Sequence, residues 1–339
     1  MQGTTILITG GLGFIGSNFV DYLIETKRDQ GLLILDKKTY AADLKALDRW
    51  KQNTQVCFVE GDICDAIFLE KLFQKNNIQG IIHFAAESHV DNSISGPKDF
   101  VETNIMGTFQ LLEASRKSWL YNNQKLKPAF KSARFHHIST DEVYGALGLK
   151  GAFTEKTPYA PNSPYSASKA ASDHLVRSYF HTYGLPVVTT NCSNNFGPYQ
   201  HHEKLIPTII RKAIHEEAIP IYGTGENIRD WLFVKDHCIA IQTVFERGVL
   251  GEVYAVGGDN EKTNLELCDA VIKILDQIEP RSNGESYCKL ITHVTDRLGH
   301  DLRYAIDATK IKKDLKWLPQ TPFEEGLKIT VEHYLTKRK

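Results

Sequence analysis

The sequence carries almost no net charge. Its 40 lysines and arginines stand against 41 aspartates and glutamates, which leaves a formal net charge of −1 over 339 residues. A chain without a basic excess lacks the field that draws proteins to nucleic acid or to anionic membranes. We therefore expect neither partner, and any anionic ligand must be bound by local cations and helix ends.

Cysteine is sparse and shows no pattern. The chain contains 6 cysteines, none in a Cys-x-x-Cys spacing, which is typical of reduced packing residues in an intracellular protein. Two histidine pairs, His136-His137 and His201-His202, suggest a metal site at first sight. Adjacent residues of a strand point to opposite faces, however, and no further ligand stands at metal spacing. The sequence therefore predicts no metal site.

No stretch is apolar enough to span a bilayer. Residues 1–20 lack charged side chains, but they have no basic start, and they contain the glycines Gly3, Gly10, Gly11, Gly13 and Gly16. This composition differs from that of a signal peptide or a membrane segment. We therefore expect a cytoplasmic protein.

A glycine-rich turn follows the first predicted strand. The apolar run 4–9, typical of a strand buried on both faces, leads into Gly10-x-x-Gly13-x-x-Gly16 and then into a helical pattern. Glycines let a backbone approach a pyrophosphate, which the amides at a helix start bind. Asp36 ends the second apolar run, where an acid binds ribose hydroxyls and repels a 2′-phosphate. The pattern favours NAD over NADP. An Asp36 that only caps a turn would leave the same pattern in the sequence.

Apolar strands and helical patterns alternate along the first two thirds of the chain. Further strands are predicted at 56–59, 81–84, 134–139 and 186–190. The alternation predicts an α/β fold with a Rossmann-like, doubly wound parallel sheet. We expect residues 1–190, rejoined by about 229–250, to form the NAD-binding domain. Residues 191–339 would then form mainly a smaller carboxyl-terminal substrate-binding region.

Side chains that can exchange protons or donate hydrogen bonds to a substrate occur together between residues 139 and 169. This candidate catalytic cluster consists of Thr140, Asp141, Glu142, Tyr165 and Lys169. The first three follow a predicted strand, and Tyr165 and Lys169 stand four apart on one face of a predicted helix. A lysine ammonium favours the phenolate of a nearby tyrosine, which otherwise titrates near pH ~10, so Tyr165 can act as a base. Either the acidic pair Asp141-Glu142 or the Tyr165 and Lys169 spacing alone is common on protein surfaces. Their joint occurrence after a nucleotide-binding motif predicts catalysis.

These motifs resemble the extended short-chain dehydrogenase/reductase family. Within it, residues 85–91, 139–145, 194–200, 229–231 and 296–300 are similar to the dTDP-glucose 4,6-dehydratases, and the resemblance runs from Ile6 to about Gly326. The Thr-Asp-Glu triplet is its specific part, because related epimerases and decarboxylases differ there. The dehydratases usually have proline where Leu298 stands. The preference for thymine over uracil or cytosine therefore stays open.

The resemblance implies NAD-dependent conversion of dTDP-glucose to dTDP-4-keto-6-deoxyglucose. The steps are C4 oxidation, loss of water across C5 and C6, and hydride return to C6, so NAD stays bound. Tyr165, held as phenolate by Lys169, would take the proton of the 4-hydroxyl, and Thr140 would bind the same oxygen. Glu142 would remove the C5 proton, and Asp141 would protonate the leaving 6-hydroxyl. Alternatives are a UDP- or CDP-glucose 4,6-dehydratase, a nucleotide-sugar 4-epimerase and a catalytically silent nucleotide-binding protein.

The resemblance also implies the binding residues and the assembly. For NAD these are Gly10, Gly13, Phe14, Ile15, Gly16, Asp36, Lys37, Asp62, Ile63, Ala85, Ala86, Thr103, Tyr165, Lys169 and Asn195. For the nucleotide sugar they are Ser88, Thr140, Asn194, Lys204, Leu205, Pro220, Ile221, Tyr222, Arg229, Asn264, Asp296, Arg297, Leu298, Gly299 and His300. A homodimer is implied, formed by the helices near 100–117 and 166–183.

Overall fold

The computed structural model describes residues 4–27 and 30–336. The strands are β1 (Thr5–Thr9), β2 (Gly31–Asp36), β3 (Val56–Glu60), β4 (Ile78–His83), β5 (Arg134–Thr140), β6 (Val187–Cys192), β7 (Asn194–Phe196), β8 (Ile219–Tyr222), β9 (Ile228–Phe233), β10 (Val253–Val256), β11 (Glu261–Thr263) and β12 (Ile291–Val294). The helices are α1 (Phe14–Glu25), α2 (Lys45–Trp50), α3 (Ala66–Lys75), α4 (Val90–Ser95), α5 (Pro97–Phe100), α6 (Thr108–Trp119), α7 (Pro164–Tyr183), α8 (Leu205–Ile214), α9 (Val234–Arg247), α10 (Asn264–Ile278), α11 (Thr309–Leu315) and α12 (Phe323–Thr336). None of these helices is long and apolar enough to cross a bilayer.

The main sheet has seven parallel strands in the order β10-β6-β5-β4-β1-β2-β3. The order reverses between β1 and β4, as in doubly wound nucleotide-binding sheets. The predicted α/β, Rossmann-like fold is therefore confirmed. Strand β4 begins at Ile78 and not at Ile81, because Ile78 pairs with Thr5 although Gln79 and Gly80 interrupt the apolar run.

Both faces of the main sheet are covered by apolar layers. On β1, Leu7 packs with Leu33, Phe135 and the helices α3, α6 and α7 on one face. Its neighbours Ile6 and Ile8 belong to the opposite layer, against α1 and α9. Successive strand residues point to opposite faces, so a strand buried on both sides needs an unbroken apolar run. The first predicted strand meets that requirement.

The chain leaves the main sheet after β6 and later returns to it. Strands β7, β9 and β11 form one small sheet, and β8 pairs with β12 in another. Helix α9 then packs against β5 and β6, and β10 adds the last strand to the main sheet. The region after residue 190 thus adds α9 and β10 to the main sheet and also forms the two small sheets. The predicted domain limits of 1–190 with 229–250, and 191–339, stay a prediction.

The helix predicted near residues 100–117 is not uniform. Helix α5 runs into a π-helical segment, Val101–Gly107, before α6 begins. The wide turn of a π-helix changes the angle between successive side chains, and here the adjacent Thr103 and Asn104 are both buried. The side chain of Asn104 then bonds to Glu87 and Ser168, which ties the segment to α7.

Buried neutral histidines predict a fall in stability at acid pH. Burial lowers the pKa of His83 and His136 well below the ordinary value and that of His237 to about 3. Below pH ~6.5 the unfolded chain binds protons that the folded chain excludes, so stability is lost as pH falls from that value toward the folded-state pKa values. We expect each histidine to cost about 1 kcal/mol of unfolding free energy between roughly pH 7.5 and 5.5.

Urea unfolding at both pH values measures this slope. His237→Gln should reduce it, whereas His181→Gln, at the exposed end of α7, should leave it unchanged. A slope that His237→Gln leaves intact would contradict the prediction.

Candidate active site

A cleft runs along the carboxyl ends of the main-sheet strands. All the residues predicted for NAD line it: Gly10, Gly13, Phe14, Ile15, Gly16, Asp36, Lys37, Asp62, Ile63, Ala85, Ala86, Thr103, Tyr165, Lys169 and Asn195. They come from seven different segments of the chain, which the parallel sheet brings to one edge. The predicted catalytic residues Thr140, Asp141 and Glu142 line the same cleft.

The glycine turn is closely packed against the chain around it. Gly10 has a φ of +68°, and a Cβ on it would lie 2.6 Å from the amide nitrogen of Ala85. A Cβ on Gly16 would lie 2.3 Å from the carbonyl oxygen of Gly10. Helix α1 begins after Gly13 with no side-chain cap. Its first amides are therefore free to bind a diphosphate, so the turn fits NAD.

Gly16→Ala should weaken NAD binding. The added methyl group conflicts with backbone atoms, which cannot rotate away, so the turn must separate from α1. We expect at least about a tenfold weaker affinity, or about 1.4 kcal/mol. The NAD released per chain on denaturation measures the effect. Gly148→Ala is the matched control, because no atom lies within 4 Å of its Cβ position, and normal NAD content in Gly16→Ala would refute the prediction.

Asp36 caps the glycine turn, which is one of the two roles considered from the sequence, and its role in ribose binding stays a prediction. Its Oδ2 accepts from the amide of Leu12 at 3.1 Å, and its Oδ1 accepts from the amide of Lys38 at 2.8 Å. These bonds cap the turn and fix the carboxylate at the cleft. A carboxylate has about four acceptor sites, so two are left for ribose hydroxyls.

The two acids that follow β5 differ in their surroundings. Asp141 is 1% exposed, and its Oδ2 has no hydrogen-bond partner among the described residues. Burial, and next the charge of Glu142, raise the pKa of Asp141 well above its ordinary value. Burial also raises the pKa of Glu142, but Arg297, Arg229 and Lys204 oppose that shift. Asp141 therefore keeps its proton more readily, as an acid beside a base requires.

Tyr165 and Lys169 lie in the first two turns of α7. Ser163 caps the helix in a capping box, and Pro164 occupies its first turn, which fixes where the helix begins. Burial, then Glu142 and Cys192, raise the pKa of Tyr165, and a hydrogen bond from Thr140 opposes them. The chain by itself thus holds Tyr165 as a phenol. Burial outweighs the groups that favour the phenolate in the chain itself, and the role of Lys169 in holding Tyr165 as phenolate stays a prediction.

The residues predicted for the nucleotide sugar fall into two groups. Ser88, Thr140, Asn194 and Lys204 line the cleft. The others are not among the lining residues: Leu205, Pro220, Ile221, Tyr222, Arg229, Asn264, Asp296, Arg297, Leu298, Gly299 and His300. Ile221 is 1% exposed in the carboxyl-terminal core, so its side chain is a packing group. Leu298 is 78% exposed on its loop.

Two of the outer residues, Arg229 and Arg297, act on the cleft through their charges. Arg229 donates to the carbonyls of Ile228 and Asp301 at 2.8 and 3.0 Å, and its guanidinium lies 4.3 Å from the ring centroid of Tyr304. Its charge still acts on Glu142, as does that of Arg297. Together with Lys204, these arginines place three cations around the carboxylate of Glu142.

Sequence reasoning missed part of the cleft wall. Tyr40, His201 and Glu203 also line it, and the rings of Tyr40 and His201 meet edge to face at 5.5 Å. The sequence signal that could have revealed this part of the wall is the run His201-His202-Glu203, which follows Gly197-Pro198. His201 and His202 lie in a turn with ring centroids 4.1 Å apart, so the opposite-faces argument does not apply to them. Their nitrogens and the Glu203 carboxylate lie within 4.8 Å of one another, and the expected absence of a metal site stays a prediction.

Comparisons with known proteins agree with this geometry. The family model described as GDP-mannose 4,6 dehydratase matches residues 7–330. A dTDP-glucose 4,6-dehydratase of Xanthomonas campestris pv. campestris (strain B100) is 54% identical over 98% of this chain and 94% of its own length. A Bacillus anthracis dTDP-glucose 4,6-dehydratase in complex with NAD has a TM-score of 0.86 at 42% identity, covering 99% of this chain and 98% of its own.

A second solved structure contains NAD and a further ligand, TYD. The Streptomyces venezuelae dTDP-glucose 4,6-dehydratase with NAD and TYD bound has a TM-score of 0.89 at 41% identity, with 98% of each chain covered. The similarity extends over nearly the full length of each protein. The chain therefore belongs to the dTDP-glucose 4,6-dehydratases, within the nucleotide-sugar dehydratase family that the matched model describes.

Proposed function

We propose that this chain is an NAD-dependent hydro-lyase that converts dTDP-glucose to dTDP-4-keto-6-deoxyglucose. The observation that carries the proposal is the pair formed by the buried Asp141 and the partly buried Glu142 in the same cleft as Tyr165 and Lys169. A 4-epimerase needs the tyrosine and lysine but has no step that requires an acid beside a base. A silent nucleotide-binding protein requires none of these four groups.

The first step is proton removal from the sugar 4-hydroxyl by Tyr165. The Thr140 hydroxyl donates a hydrogen bond to the Tyr165 oxygen and would also bind the oxygen at C4 of the sugar. NAD, when bound, would supply the acceptor for the C4 hydride and the source of the hydride for C6, and its positive charge would favour the Tyr165 phenolate. Lys169 donates to the carbonyl of Ile138 at 2.9 Å, which holds its ammonium beneath the site.

The second step is loss of water across C5 and C6. The 4-ketone acidifies the C5 proton, which the Glu142 carboxylate removes, and Asp141 donates its proton to the leaving 6-hydroxyl. The three cations around Glu142 oppose the rise that burial causes in its pKa, so Glu142 gives up its proton more readily than Asp141. Lys204, Arg229 and Arg297 are also the groups that would bind the substrate diphosphate, since they are the cations that face this end of the cleft.

Mass spectrometry of the reaction product tests the proposal. The purified protein, with no NAD added, is incubated separately with dTDP-glucose and UDP-glucose. We expect loss of one water from dTDP-glucose, because returned hydride regenerates NAD in the site. Preferential turnover of UDP-glucose would keep the mechanism and overturn the base preference. No loss of water from either, with NAD bound, would favour an epimerase or a silent binder.

We also propose a homodimer in the cytoplasm. Val101 and Met106, on the helical segment implied in dimer contact, are 49% and 46% exposed, and exposed apolar residues on one surface mark association sites. Light scattering should give twice the 38.3 kDa of one chain. Met106→Glu should shift the protein toward the monomer, whereas Ile67→Glu, 66% exposed on α3, should not. A monomeric wild-type protein would refute the dimer.

A further inference from the structure

We infer that Asp173 is a positioning residue whose buried carboxylate holds the positive charge on Lys169. The inference rests on the proposed role of Lys169 beside Tyr165. Asp173 lies one helical turn beyond Lys169 on α7 and is 5% exposed. It does not line the cleft, so its effect on the reaction passes through its neighbours, among which Lys169 is the one with a proposed role beside Tyr165.

The carboxylate of Asp173 is bound on both oxygens. Its Oδ1 accepts from His137 Nε2 at 3.0 Å. Its Oδ2 accepts from three donors, the hydroxyls of Ser139 at 2.9 Å and Tyr159 at 2.8 Å and the amide of Asn191 at 3.1 Å. Four donors around one carboxylate stabilise its ionised form, since a protonated acid could not accept all of them. The site is therefore built to hold a negative charge inside the protein.

Lys169 is 4% exposed and lies one turn before Asp173 on the same face of α7, so a buried cation and a buried carboxylate share this face. His137 is a basic group in direct contact with the carboxylate. Burial, and next the charge of Lys169, lower the pKa of His137, while Asp173 opposes them. His137 therefore contributes a hydrogen bond and no charge at neutral pH. Burial lowers the pKa of Lys169, and Asp173 is the leading group that opposes the shift. A buried ammonium loses its proton unless a partner compensates its lost hydration.

Other titratable groups face this pair from every neighbouring element. They are His83 on β4, His137 on β5, Cys192 on β6, Tyr144 after β5 and Tyr159 in the loop before α7, whereas Asp141 and Glu142 act on Tyr165. Burial lowers the pKa of both histidines and raises those of Tyr159 and Cys192, the latter to about 12. Asp173 is thus the carboxylate whose charge opposes the loss of the Lys169 proton.

The pH profile of C4 oxidation tests the inference. In a Glu142→Gln background, NADH formed in a single turnover reports this step alone. Asp173→Asn keeps the shape of the side chain and removes its charge. Lys169 then loses its proton more easily, so the alkaline limb of the profile should move about one pH unit or more to lower pH, which is about a tenfold loss of rate on that limb. Tyr159→Phe, which removes one hydrogen bond but no charge, should keep the limb in place.

The controls separate this inference from the proposed function. A uniformly lower rate with an unshifted limb indicates a merely structural role and overturns the inference. Oxidation that survives Lys169→Met would instead overturn the role of Lys169. If Asp173→Asn gives too little folded protein, Lys169→Met provides the second test, because it leaves the carboxylate buried without its cation. Adding Asp173→Asn to Lys169→Met should then raise the urea midpoint, and failure to do so overturns the inference.

Discussion

Glu142→Gln should stop the loss of water while C4 oxidation continues. The amide occupies nearly the same volume as the carboxylate but cannot take the C5 proton. General-base catalysis contributes about 10²- to 10⁴-fold, so the dehydration rate should fall by that factor. Oxidation depends on Tyr165 and Lys169, so NADH and the 4-keto sugar should accumulate in the site.

Two measurements on the same sample follow this change. The near-ultraviolet absorbance of NADH reports C4 oxidation, and product mass reports the loss of water. Glu70→Gln is the control, because Glu70 is exposed on α3 and far from the cleft in the fold, and it should retain both signals. Dehydration at the wild-type rate in Glu142→Gln would remove Glu142 from its proposed role.

Tyr165→Phe should instead stop the reaction before any NADH forms. The change removes one oxygen from a side chain that is 9% exposed, so the packing of α7 is preserved. Without the phenolate no group accepts the proton of the 4-hydroxyl, and the rate of C4 oxidation should fall by about 10²- to 10⁴-fold. Neither NADH nor a dehydrated product should appear on the time scale of the wild-type reaction.

Tyr144→Phe is the matched control for Tyr165→Phe. Tyr144 is also buried near the end of β5, and its hydroxyl has no hydrogen-bond partner among the described residues. Its loss should leave NADH formation within about twofold of wild type, because no proton transfer depends on it. Equal losses in both variants would mean that the Tyr165 effect is one of packing.

The two variants together separate a dehydratase from an epimerase. An epimerase would lose activity in Tyr165→Phe. Its reaction does not remove the C5 proton, so it would retain activity in Glu142→Gln. The dehydratase loses product in both and accumulates NADH in Glu142→Gln only. The pattern across the two positions is therefore more informative than either rate.

Several features of the fold follow from local sequence patterns. The run Thr5–Thr9 has to be a strand buried on both faces, because its alternating residues enter two apolar layers. The glycine turn follows from backbone contacts that a side chain would block at Gly10 and Gly16. Ser163 and Pro164 mark where α7 begins, and this places Tyr165 and Lys169 one turn apart. Each of these is a property of neighbouring residues, so the sequence contains it.

The sequence could not give the charge environment of the site. It indicated a phenolate at Tyr165, but burial and the charge of Glu142 raise that pKa, and burial depends on what the fold places around the ring. It treated His201 and His202 as strand residues, whereas a turn brings their rings together. It gave no sign of Asp173, whose four donors come from three other segments.

The sequence by itself determined the α/β class and predicted the cofactor turn and the catalytic groups, because these depend on local pattern and on residue type. Tertiary structure decided which acid stays neutral, which cations surround Glu142 and which carboxylate balances Lys169. A pKa depends on desolvation and on charges that lie close in space. Those neighbours come from segments far apart in the chain, so only the folded arrangement specifies them.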